Sequence, residues 1–166
     1  MSTLYDFTLR FVLTPNSIDP DTLVDALFLA GCDDATLGTG YRGRLALNFS
    51  RESKTAEKAV LSAIADVIKA IPTAQLIEVS PDFVGLTDIA DLIGCSRQNI
   101  RKLALSADNR FPPPIHAGSA SIWHLAPVLQ WLKLRNTHQI DPHLIELSAA
   151  SMKLNIENQA ANIPKS

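Results

Sequence analysis

A chain of 166 residues can form one large domain or two small ones, each with a modest hydrophobic core. No apolar run approaches the ~20 residues that a helix needs to cross a bilayer, which excludes a membrane-spanning helix. The formal net charge of −2 is unusual for a dedicated DNA-binding protein, so the distribution of charge matters more than its sum.

The chain opens with a strand pattern followed by a helix pattern. Polar and apolar residues alternate over residues 5–13, which predicts a half-buried strand. A helix is expected to begin at Asp19-Pro20-Asp21 and to end at Gly31. Its predicted buried face consists of Leu23, Val24, Leu27 and Phe28.

The rest of the first half continues the alternation. A short segment over 34–37 leads through the glycine-rich turn 38–43 to a second strand, in which Leu45, Leu47 and Phe49 alternate. The strongest helix pattern covers 54–71, and a last strand is expected over 76–79. The order β-α-β-β-α-β predicts a ferredoxin-like α+β sandwich over 1–80, a fold that hosts many functions. Arg42 and Arg44 near the turn are interpreted as solvated charges, with contact to DNA or to a partner as the alternatives.

Residues 86–103 form the most informative pattern, two short amphipathic helices joined at Gly94. Glycine supplies the permissive backbone that a tight turn between helices needs. The Ser96 hydroxyl can cap the second helix by accepting a hydrogen bond from a free amide. The predicted inner face consists of Ile89, Ala90, Ile93, Cys95, Ile100 and Leu103.

The outer face of the second helix is cationic and rich in hydrogen-bond donors. It carries Arg97, Gln98, Arg101 and Lys102. These residue types reach base edges or phosphates in the major groove of DNA. The pattern favours a recognition helix over 96–105, and an ordinary helical hairpin with a solvated basic face is the structural alternative.

A hairpin and a further helix are expected next. The proline run 112–114 excludes helix, and residues 115–123 contain two short extended segments around Gly118. Trp123 and Trp131 are interpreted as core residues. Helix periodicity resumes at Leu125, with a predicted buried set of Val128, Leu129, Trp131, Leu132 and Leu134. Helix, turn, helix, wing and packing helix together indicate a winged helix-turn-helix.

The segment Leu86–Leu132 resembles the MerR/AlpA-type, excisionase-like DNA-binding module. The matching residues are the stretch Ile89–Ile100, the Phe111-Pro112 step, Trp123, Val128 and Trp131-Leu132. The resemblance implies binding of double-stranded DNA, with the second helix in the major groove and the wing against the backbone or minor groove. The long dimerisation helix and cysteine-rich segment of full MerR regulators do not follow, so metal sensing is not implied.

We therefore expect sequence-specific DNA binding by a transcriptional regulator. The predicted DNA-binding residues are Ser96, Arg97, Gln98, Asn99, Arg101, Lys102, His116, Ser119 and Ser121. Two alternatives are an excisionase-like recombination accessory protein and an antitoxin-like autorepressor that binds a protein partner through its N-terminal domain.

The charge distribution agrees with this division of the chain. Residues 81–139 carry six Lys or Arg against four Asp or Glu, whereas residues 1–80 carry seven against ten. The predicted domains are 1–80, for dimerisation, partner or ligand binding; 81–135, for DNA; and a C-terminal helix and tail over 136–166. Few basic residues imply moderate, salt-sensitive affinity, and a homodimer would double the contacts.

The sequence shows only weak features of enzymes, metalloproteins and secreted proteins. Asp33 and Asp34 are neighbours that point to opposite faces of a strand, and the four histidines show no metal-ligand spacing, so we expect neither an enzyme nor a metal or other cofactor. Cys32 and Cys95 are interpreted as small buried residues. The first residues show no pattern of a secretion signal, which predicts a cytoplasmic location.

The tail is expected to contain a helix that begins at Asp141-Pro142. A stripe of Ile145, Ala149, Met152 and Ile156 has helical spacing and would pack on the winged module or on a second copy. Residues 158–166 are expected to be frayed.

Overall fold

The computed structural model describes residues 1–14, 19–38, 43–106, 108 and 110–166. The fold is mixed α+β with antiparallel sheets, which confirms the predicted class. The chain divides into two compact units, one of residues 1–80 with 153–166 and the other of residues 81–152. This division differs from the expected boundaries, because residues 136–166 are shared between the units and do not form a separate tail.

The first unit contains four strands and two helices before residue 81. Their bounds are β1 (Thr3–Val12), α1 (Pro20–Leu29), β2 (Ala35–Gly38), β3 (Arg44–Ser53), α2 (Ala56–Ala70) and β4 (Gln75–Ser80). The sheet has the order β2-β3-β1-β4, with antiparallel neighbours throughout. Alternate residues of β1 and β3, such as Leu9, Phe11 and Leu47, are buried, as the sequence pattern predicts. Residues 39–42 of the expected glycine-rich turn, including Arg42, lie outside the described residues.

Helix α1 buries a narrower stripe than expected. Asp19 caps it by accepting a hydrogen bond from the Thr22 amide, and Leu23 and Leu27 are buried. Val24 and Phe28 are 47% and 64% exposed, so their predicted burial was wrong. In an α-helix each residue is turned about 100° from the one before it, so a short helix that contacts its neighbours along one stripe leaves the adjacent positions in solvent.

The second unit combines short strands with helices. Its elements are β5 (Phe83–Val84), α3 (Leu86–Ile93), α4 (Arg97–Leu105), β6 (His116–Ala117), β7 (Ser121–His124) and α5 (Leu125–Arg135). The strands are arranged in the order β5-β7-β6. Strand β5 is absent from the sequence predictions because two residues show no alternation. Leu134 is 76% exposed, so its predicted burial was wrong. The buried core consists of Val84, Ile89, Ala90, Ile100, Trp123, Leu125, Val128, Leu129 and Leu132.

Helix α6 (Pro142–Ala161) contributes residues to both units. Its N-terminal residues Leu144 and Ile145 pack against the core of the second unit. Ala149 and Ile156 of the predicted apolar stripe are exposed in the single chain, and residues 158–161 are helical rather than frayed. The buried residues of α6 are Leu147, Ser148, Ser151 and Asn155.

The edge of strand β4 explains why Asn155 of α6 is buried. Asn155 accepts a hydrogen bond from the Val79 amide and donates one to the Val79 carbonyl, both at 2.8 Å. Asn158 donates to the carbonyl of Leu76 at 3.0 Å. Because β4 lies at an edge of the sheet, its outward backbone groups need partners, and asparagine side chains supply both a donor and an acceptor.

Among the helices of the described ranges, we find none with both the length and the apolar character required to span a lipid bilayer.

Candidate nucleic-acid interface

The α3–α4 turn forms through interactions between residues close in sequence. Gly94 adopts a left-handed conformation, with φ of 74°, and the next amide, of Cys95, donates to the Ala90 carbonyl at 3.0 Å. Ser96 then caps α4, because its hydroxyl accepts a hydrogen bond from the Asn99 amide at 3.1 Å. Both local predictions for this turn are confirmed.

The inner and outer faces of the helix pair also separate as the sequence pattern indicates. Ile89, Ala90 and Ile100 are buried, and Ile93, Cys95 and Leu103 pack against the same core. The outward residues are exposed and include Ser96, Arg97, Gln98, Asn99, Arg101 and Lys102. The apolar contacts therefore hold α4 in place and leave its polar side chains free to reach a ligand.

The polar residues of α4 border two concave surfaces rather than one. Arg97 and Arg101 line a groove of about 650 Å³ together with Ser119 and Ser121 of the β6–β7 hairpin. The second surface lies on the other side of α4, where Arg101 and Leu105 border it as well. Its remaining lining residues are Ser96, Gln98, Asn99, Lys102 and Ser106.

The cations on α4 keep their hydrogen-bonding capacity. Within the ranges that the structure describes, Arg97, Arg101 and Lys102 form no ion pair with a carboxylate. Asp88 also lines the groove, and its Oδ2 accepts a hydrogen bond from the Gly85 amide at 2.9 Å. Each arginine offers five N–H donors in a planar arrangement that suits base edges and phosphates.

The predicted DNA-binding residues of the β6–β7 hairpin lie in different surroundings. Ser119 and Ser121 line the groove beside α4, whereas His116 is exposed on β6, does not line it and pairs with Ile122 in the strand register. The His116 ring lies close to Gly118, since a Cβ added to Gly118 would lie 2.6 Å from its Nε2. A larger residue at 118 would therefore displace the ring.

Aromatic packing supports the base of the hairpin. Trp123 is buried, and its indole N–H donates to the Pro112 carbonyl at 2.9 Å. Phe111 makes edge-to-face contacts with Trp123 and Trp131, at centroid distances of 5.9 and 5.0 Å. Trp131 is half-buried, with the Arg135 guanidinium 4.7 Å from its ring centroid. These contacts agree with the interpretation of both tryptophans as structural residues.

A second side-chain contact at the base of the hairpin was not predicted from the sequence. The fully buried Asp82 lies with Oδ1 2.7 Å from His124 Nδ1, and its backbone carbonyl accepts from the Leu125 amide at 2.7 Å. This contact links the residue before β5 to the end of β7 and the start of α5. The two side chains are 42 positions apart, so no local sequence pattern reveals them.

Cys32 is buried as predicted, whereas Cys95 is only partly buried. Desolvation by burial, followed by the negative charge of Asp66, raises the pKa of Cys32 to about 11. Burial also raises the pKa of Cys95. A thiol nucleophile reacts as the thiolate, so neither cysteine is activated at neutral pH. Within the described ranges, no group of three or more His, Cys, Asp or Glu is arranged to hold a metal ion.

Comparisons with protein-family models, with curated proteins and with solved structures yield no match to this chain. The resemblance to the MerR/AlpA-type module therefore depends on the motif residues alone. Function is inferred from the side chains of α4, the groove and the hairpin.

Proposed function

We propose that this chain is a sequence-specific double-stranded DNA-binding protein that regulates transcription. The observation that carries the proposal is the set of exposed cations on α4 that form no ion pair with a described residue and lie beside a groove shared with the β6–β7 hairpin. In the proposed complex, α4 enters the major groove and the hairpin contacts the backbone or minor groove. The element order α3, α4, hairpin and α5 supports a winged helix-turn-helix of the MerR/AlpA-like type.

The residue types at the start of α4 support base recognition. Arginine makes bidentate hydrogen bonds to guanine, and glutamine or asparagine makes them to adenine. Arg97, Gln98 and Asn99 occupy the first turn of α4, where the helix dipole also favours an approaching phosphate. Lys102 and Arg101 follow one turn later, where they would contact phosphate or a further base.

The first unit would then serve dimerisation, partner binding or ligand binding. Its element order β-α-β-β-α-β and its antiparallel strand order β2-β3-β1-β4 support a ferredoxin-like sandwich. A homodimer would present two recognition helices to a palindromic site and compensate for the small number of cations in each copy. Light scattering at micromolar concentration tests this, and a monomeric full-length chain contradicts the dimer.

The DNA-binding proposal is tested with a site selected in vitro from random duplexes. The double variant Arg97→Gln/Arg101→Gln removes two cationic donor groups from the groove and is expected to weaken binding by ~2–6 kcal/mol in total. Lys133→Gln is the matched control, because it removes an exposed positive charge from α5 without touching the groove. Binding is measured by fluorescence anisotropy at several salt concentrations.

Two outcomes contradict the proposal. One is a failure to select any duplex, and the other is undiminished affinity of the Arg97/Arg101 double variant for the selected site. Circular dichroism melts of each variant verify that a loss of binding does not arise from unfolding.

A further inference from the structure

The open face of the first unit's sheet contains a small depression of about 320 Å³. Alternate residues of β1 and β3, including Phe11 and Leu45, are buried on the helix-covered face. Their neighbours Arg10, Arg44 and Ala46 therefore belong to the opposite face. These three residues line the depression together with Gly38, Ile77, Phe11 and Leu45.

The strand register explains why a concave surface forms here. Arg10 lies opposite Ala46, and Ala46 lies opposite Gly38, so one row of residues crosses β1, β3 and β2. On β4 the row continues to Glu78, which lies opposite Arg10 on its other side. Gly38 has no side chain and Ala46 has only a methyl group, which leaves a low apolar floor. Arg44 precedes Ala46 by two residues on β3, at a diagonal from Arg10 that long side chains can span.

On one side of this row, the next two rows of the same face are closed by polar pairs. Thr8 donates a hydrogen bond to Asn48 at 2.6 Å, and Ser50 donates one to Asp6. These side chains satisfy one another across β1 and β3. Among the described residues, the row of Arg10, Ala46 and Gly38 has no such pair across β1, β3 and β2, and the polar contacts of Arg10 lie on the β4 side.

Both arginines retain donors for a ligand. Arg10 Nη1 donates to the Ser80 hydroxyl at 3.1 Å, and that hydroxyl donates to Glu78 Oε2 at 3.0 Å. The serine thus holds the carboxylate of Glu78 without a direct ion pair to Arg10. In the part of the chain that the structure describes, Arg44 forms no ion pair.

We propose that this depression binds a small organic anion, a carboxylate or phosphate group carried on a compact apolar body. Two guanidinium groups suit the planar or tetrahedral oxygens of such an anion. The floor of Gly38 and Ala46, with Ile77 beside it, suits the apolar body. The volume lies near the lower end of the range for ligand pockets, which favours a compact molecule.

The test measures binding to the full-length protein by isothermal titration calorimetry. The probes are benzoate, phenyl phosphate and inorganic phosphate, all at the same ionic strength. We expect saturable binding of at least one organic anion with a Kd below about 1 mM, and binding of inorganic phosphate at least ~10-fold weaker. The better of the two organic probes shows whether the site prefers a carboxylate or a phosphate group.

Two variants test the site by independent routes. Arg44→Gln removes a guanidinium group, and Ala46→Leu fills the apolar floor without changing charge; each is expected to weaken binding by at least ~10-fold. Lys69→Gln is the matched control, because it removes an exposed positive charge from α2 and leaves the depression intact. Thermal melts verify folding of all three variants.

The proposal is overturned if neither organic anion binds saturably, or if binding is indifferent to both Arg44→Gln and Ala46→Leu. Because the probes and variants concern the first unit, this result is independent of DNA binding by α4.

Discussion

Arg51 of the first unit and the two arginines on α4 of the second unit are used in opposite ways. In the first unit, Arg51 is 9% exposed, and its guanidinium binds both carboxylate oxygens of Asp34 at 2.7 and 3.0 Å. It also donates to Asp66 at 2.9 Å, to the Ser62 hydroxyl at 3.1 Å and to the Gly31 carbonyl at 2.9 Å. In the second unit, Arg97 and Arg101 are exposed and have no carboxylate partner among the described residues.

This difference separates a structural cation from a cation available to a ligand. The pKa of Arg51 is raised mainly by its side-chain hydrogen bonds to Asp34, so the guanidinium group remains charged inside the fold. Its donors are occupied, and a ligand could bind only by displacing those partners. The donors of Arg97 and Arg101 face solvent, so binding a ligand would exchange only water.

The largest expected effect on stability comes from replacing Arg51, the arginine that is paired with carboxylates. Arg51→Ala leaves Asp34 and Asp66 without their cation and should lower the free energy of unfolding by ~2–3 kcal/mol. The value is below that of a fully buried pair, because the two carboxylate side chains are 28% and 29% exposed. Urea denaturation measures it, with Lys69→Ala as an exposed control. A loss no larger than that of the control would mean that the network contributes nothing to stability.

A second effect concerns the Cys32 thiol beside this network. Its pKa is raised to about 11 from an ordinary value of 9.0, so the folded state binds more protons between these pH values. The contribution of this pKa difference to the free energy of unfolding is fully present below pH 9. It is lost as the pH rises through 11, and the loss at pH 11 is ~2 kcal/mol. Urea titrations at pH 8 to 11 measure the loss, which should be absent in Cys32→Ala. Parallel pH profiles of the two proteins would contradict it.

The smallest expected effect on stability comes from replacing the two exposed arginines of α4. Replacing Arg97 and Arg101 with glutamine removes no ion pair within the described residues, so the free energy of unfolding should change by less than ~0.5 kcal/mol. The same urea measurement tests this in the absence of DNA. A destabilisation comparable to that of Arg51→Ala would show that these arginines are structural, and would remove the contrast between the units.

Sequence patterns predicted the parts of the fold that depend on neighbours along the chain. The α3–α4 turn requires only a glycine in a left-handed conformation and a serine three residues before the amide that it caps. The strands β1 and β3 follow from alternation, because successive side chains point to opposite faces. The exposure of the polar residues of α4 follows from helical periodicity in the same way.

Predictions that needed a knowledge of neighbours in space were less successful. The apolar spacing of α6 suggested a stripe through Ala149 and Ile156, but the structure buries Ser148, Ser151 and Asn155 instead. Asn155 is buried because the edge of β4 offers it a backbone amide and carbonyl. No feature near Asn155 in the sequence indicates that this edge lies beside it.

The sequence by itself determined the longer helices and strands, the α3–α4 turn and the outward cations of α4, since these depend on contacts within a few residues; the two-residue strand β5 was not among them. Tertiary structure alone decided which cations are paired and which grooves they line. The carboxylate partners of Arg51 lie 15 and 17 residues away in the sequence. Arg97 and Arg101 line a groove together with Ser119 and Ser121 only because the hairpin folds back beside α4. Charge pairing and concave surfaces depend on distances in space, and residue types and spacing do not specify those distances.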